Sequence, residues 1–240
     1  MSPAPSFSPA VEARLEELAV EHALDGRALD ALRVLLEVYA TDEHAATTVR
    51  APEEAVDRHV ADGLSGLAVP ALSRAASVVD IGTGAGVPSL VLAAARPDCE
   101  VVALDTVGKK VAWVTACAER MGLRNLRGVH ARAEAWKEGL GAFEVVTARA
   151  VAQLGVLIEY AAPLLVPGGR LVAWKGSIAG DEETVARSVA KQLRMSPPEQ
   201  ISVKPWPEAR ERQLIVHVKS GPTPKGFPRQ PGAALRKPLK

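Results

Sequence analysis

Between Ser77 and Lys219, short runs rich in Val, Ile, Leu and Ala alternate with longer segments whose apolar residues recur at helical spacing. Strands are predicted over 77–81, 101–104, 126–130, 143–147, 169–174, 201–203 and 213–219, and helices over 90–96, 109–121, 151–165 and 182–194. This alternation constrains the fold more than any other feature. Strands joined by a tight turn run antiparallel, whereas an intervening helix carries the chain back across the sheet and lets the next strand run parallel. The expectation is therefore an α/β fold, Rossmann-like, with a mostly parallel seven-stranded sheet between layers of helices. No helix separates the last two runs, so the final strand is expected to be antiparallel.

The segment before the sheet is helical. Val11, Leu15 and Leu18 mark a first helix ending near Gly26, and Leu29, Leu32, Leu36 and Tyr39 mark a second. Pro52, well suited to a first helical position, opens a third that carries Val56, Val60 and Leu64. Residues 1–9 alternate Ser and Pro and are expected to be disordered; 221–240, rich in Pro, Gly and basic residues, are expected to form an extended or disordered tail. The expected organisation is a helical cap over 10–70, an α/β ligand-binding domain over 71–220, and a basic tail over 221–240.

Net charge is only +1, but residues 1–65 carry thirteen Asp or Glu against five Arg, and residues 204–240 carry nine Lys or Arg against two Glu. A basic end on a near-neutral chain suits a polyanionic partner; the alternative is a solvated tail. No apolar run approaches the ~20 residues that span a bilayer, and the N-terminus lacks the basic-then-apolar pattern of a secretory signal. Cys99 and Cys117, 18 positions apart, match no metal or redox spacing and read as buried thiols of a cytoplasmic protein. No metal site and no membrane contact are expected.

The stretch VVDIGTGAGVPSL (78–90) places Gly82, Gly84 and Gly86 directly after the first strand. One glycine is enough for a tight strand-to-helix turn. Three suggest bare backbone meant to lie against a ligand, at the sheet edge where α/β proteins bind them. G-x-G-x-G followed by Pro88 differs from the G-x-G-x-x-G of dinucleotide folds, and without a following Lys-Ser/Thr it is not a triphosphate loop. The second strand ends in Asp105, 23 residues beyond Gly82, where a carboxylate can accept hydrogen bonds from both hydroxyls of a ribose. On these residues alone, S-adenosylmethionine and a nicotinamide dinucleotide both stay open.

Asp80, the G-x-G-x-G turn and Asp105 together resemble the class I S-adenosylmethionine-dependent methyltransferases. The segments VVDIGTGAGVPSLVLAAARPD, ALDTVGKKVAWV, ARAEAW, TARAVAQL, LLVPGGRLVAWKG and RQLIVHVK, with TTVRAPEEAVDRHVADGL upstream, resemble one family in order and spacing over roughly residues 40–220. That family is the bacterial small-subunit ribosomal RNA guanine-N7 methyltransferases, also called glucose-inhibited division protein B. The resemblance implies a class I methyltransferase fold and S-adenosyl-L-methionine as methyl donor, with S-adenosyl-L-homocysteine as product. It also implies a monomer acting on small-subunit ribosomal RNA within a 30S particle or its precursor. A nicotinamide-dependent oxidoreductase and a noncatalytic RNA-binding module are the competing readings.

By that resemblance Gly82 and Val87 line the methionine side of the cofactor, Gly84 and Gly86 shape the turn, and Asp105 holds the ribose. Ala133 and Glu134 would border the adenine. Arg149 would contact the cofactor or RNA phosphate and, with Lys175, act at the catalytic edge. Lys109, Lys110, Lys175, Arg210 and Arg212 are the expected RNA contacts, and His59 and Asp62 are placed near the site. Three positions depart from the family: Ser89 after Pro88 where Gly is usual, Gly63 after Asp62 where Ser is usual, and Ala45 where Asn is usual. Guanine N7 already carries a lone pair, so its methylation needs alignment rather than a strong base. Specificity contacts would then go to O6, the Watson–Crick edge or the stacked face.

Overall fold

A computed structural model describes residues 7–176, 178, 180–210 and 212–240. Most of the segment expected to be disordered at the N-terminus, residues 1–6, lies outside the described residues. Residues 7–9 are ordered: Ser8 Oγ donates to Glu53 Oε1 at 3.1 Å, and helix α1 (Pro9–Glu21) starts at Pro9. Gly26 starts α2 (Gly26–Thr41) instead of ending α1, because the Asp25 carboxylate accepts the Ala28 N–H at 2.8 Å and caps the new helix.

A helical run follows from Pro52 to Ala68. It is α-helical over α3 (Pro52–Ala55) and α4 (Asp62–Leu64), widened into a π-turn over Val56–Ala61 between them, and 3₁₀ over Ser65–Ala68. Helix α5 (Pro70–Arg74) then leads into the sheet.

The strands are β1 (Ser77–Ile81), β2 (Glu100–Asp105), β3 (Leu126–His130), β4 (Phe143–Arg149), β5 (Leu165–Lys175), β6 (Glu199–Val203) and β7 (Arg212–Val218), in the order β3-β2-β1-β4-β5-β7-β6. Between them lie α6 (Ser89–Ala95), α7 (Gly108–Arg120), α8 (Leu154–Leu164) and α9 (Gly180–Gln192), and a short α10 (Ala233–Arg236) falls in the tail. Strands β1 to β5 are parallel, while β7 runs antiparallel to both neighbours, β5 and β6. The burial patterns explain why β7 enters the sheet before β6. Leu214, Ile215, Val216 and His217 are all buried, as a strand covered on both faces requires, whereas β6 alternates half-buried and exposed residues and suits the edge.

Strand order reverses between β1 and β4. From β1 the chain goes outward to β2 and β3, then returns to pair β4 against β1 with Ile81 opposite Ala148. Connections on opposite sides leave a crevice at the carboxyl ends of these two strands. The glycine turn leaves β1 there, and Arg149 ends β4 there.

The N-terminal helices have no core of their own. Leu32, Leu36, Tyr39 and Val60 bury themselves in one cluster with Leu90 of α6 and Trp113 of α7. Tyr39 stacks on Trp113 with centroids 5.9 Å apart, and Trp113 Nε1 donates to Asp42 Oδ2 at 2.9 Å. Gly63 fits this close approach, since a Cβ there would come within 3.0 Å of Val91.

Every residue of α8 is buried. Its end groups, left without intrahelical partners, are met by side chains: Glu182 accepts the Leu154 N–H at 2.8 Å, and the buried Lys219 donates to the Ala162 and Leu165 carbonyls at 2.6 and 2.7 Å. The tail, expected to be extended or disordered, folds back over this helix. Arg229 forms a two-pronged ion pair with Glu159 at 2.5 and 2.6 Å, while Phe227, Ala234 and Leu239 join the main core. A carboxylate buried in α8 needs a cation, and the tail supplies it.

Candidate active site

All three glycines of the turn have positive φ: +68° at Gly82, +55° at Gly84 and +81° at Gly86. Their surroundings differ. A Cβ at Gly82 would sit 2.8 Å from Val151 Cγ2, and one at Gly86 would collide with Leu90. At Gly84 it would meet only the Gly82 carbonyl oxygen, at 3.7 Å. The first and third glycines thus allow close packing, and the middle one leaves bare backbone facing open space.

Two elements hold the turn. Tyr39 Oη donates to the Ala85 carbonyl at 2.8 Å, so a cap helix fixes the tip. From β2, Asp105 Oδ2 accepts the Gly84 N–H at 3.1 Å and Oδ1 accepts the Val107 N–H at 2.9 Å. Asp105 is buried and faces the turn, as a ribose-binding acid must. Each carboxylate oxygen keeps a second lone pair for a hydroxyl. Beneath the turn, Asp80 accepts from Thr147 Oγ1 at 3.0 Å, while its Oδ2 has no hydrogen-bond partner among the described residues. Burial pushes the Asp80 carboxyl up to about 6, against the opposing pull of Thr83, Thr147 and Ser89.

The Val87 side chain is buried in the cluster shared by the cap, α6 and α7. Ala133 is buried in a 3₁₀ turn after β3. Next to it, Glu134 Oε1 accepts the Gly232 N–H at 2.7 Å, so the folded-back tail reaches the edge expected to border adenine.

Arg149 turns toward the cap. Its Nη1 donates to Asp62 Oδ2 at 2.6 Å and to the Arg58 carbonyl at 3.0 Å, and Nη2 lies 3.4 Å from His59 Nδ1. His59 Nε2 lies 2.9 Å from Thr47 Oγ1. Burial first, and then the Arg149 charge, push the His59 imidazole down to about 4, so it is neutral near pH 7. Arg58, His59, Asp62 and Arg149, together with Trp174, Lys175 and Arg212, line an open cleft of about 480 Å³ between the helical run and the ends of β4 and β5. The π-turn at Val56–Ala61 sits on this cleft, where such widened turns are often found.

The RNA candidates fall in three places. Lys175 lines the cleft, but its charge is already used: Nζ donates to Glu182 Oε1 at 2.7 Å and to the Ala152 carbonyl at 3.1 Å. Arg212 also lines the cleft, with Nε 3.6 Å from Asp62 Oδ1 and its guanidinium 5.4 Å over the Trp206 ring. It borders a second pocket, of about 280 Å³, with Lys204 and Arg210. Lys109 and Lys110 stand apart from both, in the first turn of α7. Reading the sequence by periodicity assigns Tyr39 to the core and misses its bond to the turn; nothing local to Tyr39 signals it. The Asp62–Arg149 pair was equally hidden, because 87 residues separate its members.

Known proteins bear on this geometry in two ways. Among solved structures, the apo S-adenosylmethionine-dependent methyltransferase SibL superposes with a TM-score of 0.56 at 16% identity, covering 88% of this chain and 74% of that one. A SAM-dependent O-methyltransferase from Thermotoga maritima superposes with a TM-score of 0.54 at 15% identity, covering 80% and 73%. These likenesses establish the class I methyltransferase fold. By sequence, proteins named ribosomal RNA small subunit methyltransferase G are far nearer. That of Myxococcus xanthus is 41% identical over 72% of this chain and 79% of its own length, and that of Limosilactobacillus fermentum 37% identical over 83% and 85%. The sequence model of the family described as rRNA small subunit methyltransferase G matches residues 27–213. The chain belongs to the rRNA small subunit methyltransferase G family.

Proposed function

We propose that this protein methylates N7 of one guanine in small-subunit ribosomal RNA, acting as a monomer in the cytoplasm on a 30S particle or its precursor. The observation that carries the reading is the Gly84 backbone: bare, open, and facing a buried carboxylate at the reversal point of the sheet. Gly84 and Asp105 would hold the nucleoside part of S-adenosylmethionine, with Ala133 and Glu134 beside the adenine. When bound, S-adenosylmethionine would supply an electrophilic methyl group, which N7 would take with its lone pair as the C–S pair returned to sulfur, leaving S-adenosyl-L-homocysteine and a cationic 7-methylguanine.

No proton leaves N7 during attack, so the chain needs no strong base there. The work of the protein is orientation, which contributes up to ~7–11 kcal/mol in the best cases. Tyr39 and Asp105 fix the turn from two sides, and the buried Asp62 fixes Arg149 beside it. Lys204, Arg210 and Arg212 would bind RNA phosphates next to the cleft. In the test, ribosomal RNA from a deletion strain is compared with the parent by mass spectrometry. Loss of a single 7-methylguanosine is expected, restored by the purified protein with S-adenosylmethionine. An unchanged modification pattern, or tighter calorimetric binding of NAD than of S-adenosylmethionine, overturns the reading.

A further inference from the structure

Asp62 is the most anomalous polar group near the cleft. Its side chain is 3% exposed; Arg149 occupies Oδ2, yet Oδ1 has no hydrogen-bond partner among the described residues. A buried carboxylate oxygen left unbonded costs free energy, so a site that keeps one needs a reason. Arg212 Nε faces it at 3.6 Å, too far to donate well, from a side chain that is 40% exposed.

We propose that Asp62 reads the Watson–Crick edge of the target guanine, its free oxygen accepting from N1–H and N2–H₂ while Arg149 donates to O6. The inference rests on the function proposed above. An ionised carboxylate only accepts hydrogen bonds. Guanine is the one standard base that presents two adjacent donors on that edge; adenine, cytosine and uracil each set an acceptor beside their donor. An acid therefore selects guanine and repels the others.

The order of groups in the protein matches the order around the base. On guanine, N2, N1, O6 and N7 follow one another along one side. In the protein, Asp62 is bonded to Arg149, which ends β4. Ala148, just before it, pairs with Ile81 at the start of the glycine turn. Two residues beyond Arg149, Val151 packs on Gly82. Seating N1 and N2 on the acid and O6 on the guanidinium points N7 toward the turn and leaves its lone pair free. A base read this way on its pairing edge must be unpaired, as in a loop or single strand, or flipped out of its stack. Asp62 and Arg149 thus position and select the base; neither moves a proton.

The experiment compares reconstituted small-subunit particles that carry guanosine or inosine at the methylated nucleotide, inosine lacking only the N2 amino group. Wild type is expected to favour guanosine by about 10- to 100-fold in kcat/KM, the effect of one hydrogen bond to a charged group. In Asp62→Asn that preference collapses to within a few-fold, with S-adenosylmethionine binding retained by calorimetry. Competition binding of the two particles gives the same ratio if D62N turns over too slowly to score. The variant comparison also cancels the intrinsic difference in N7 reactivity between the two bases. Equal use of both particles by wild type, or a preference that survives in D62N, overturns the assignment and leaves Asp62 as a strut for Arg149. Failure of wild type to methylate the guanosine particle refutes the proposed function instead.

Discussion

Replacing Gly84 by alanine separates folding from cofactor binding more cleanly than any other change in the turn. The residue has a φ of +55°, and an added Cβ would touch nothing but the Gly82 carbonyl oxygen at 3.7 Å. The variant therefore loses only the left-handed backbone preference, about 1 kcal/mol. For a chain of this size that lowers Tm by roughly 2–4 °C. If the cofactor lies on the bare backbone, the same carbon enters a filled site and costs about 1–3 kcal/mol in binding. That corresponds to a Kd for S-adenosylmethionine raised roughly 5- to 150-fold. Thermal unfolding and titration calorimetry read the two quantities independently. Gly86→Ala is the control, because its Cβ collides with Leu90 and must lower Tm more than Gly84→Ala does. A Gly84→Ala protein that binds S-adenosylmethionine like wild type would refute the placement of the cofactor on this turn.

Asp105→Ala is expected to weaken S-adenosylmethionine binding by about 10- to 100-fold without changing RNA affinity; equal losses in both titrations contradict a ribose-binding role. Arg229→Ala leaves the Glu159 carboxylate, which is only 4% exposed, buried without its cation. The expected cost is about 3 kcal/mol, a fall of roughly 6–12 °C in calorimetric Tm, and R229A/E159L should recover most of it. The His59 imidazole, held at about 4 by burial and then by Arg149, gives a dependence of known sign. The unfolded chain takes up this proton below about 6.5 and the native state resists it until about 4, so stability falls as acid is added across that window. The full effect is about 3 kcal/mol. Asp80, raised to about 6, opposes it over much of the same range. Denaturant melts at pH 4.5 and pH 7 should therefore show His59→Gln losing less stability on acidification than wild type; parallel losses contradict a neutral buried imidazole.

Local chemistry made much of this protein legible in one dimension. Period-two and period-3.6 patterns located all seven strands and the four helices between them, because residues within a few positions of each other decide those elements. The glycine turn was readable for the same reason: positive φ is a property of single residues, and all three glycines adopt it. Errors gathered where a distant partner decides the outcome. The basic tail looks unable to fold alone, and does not fold alone: Arg229 finds its carboxylate 70 residues away on α8.

The sequence by itself thus determined the α/β architecture, the flexible turn and the acid that faces it, since each rests on short-range periodicity or on one residue's backbone freedom. Tertiary structure alone decided that the chain reverses between β1 and β4, so that a crevice opens beside the turn. It also decided that the cap lays Asp62 against Arg149 and leaves one buried oxygen with no hydrogen-bond partner among the described residues. Those outcomes depend on which surfaces exclude water together, a property of the packed whole that no window of sequence contains.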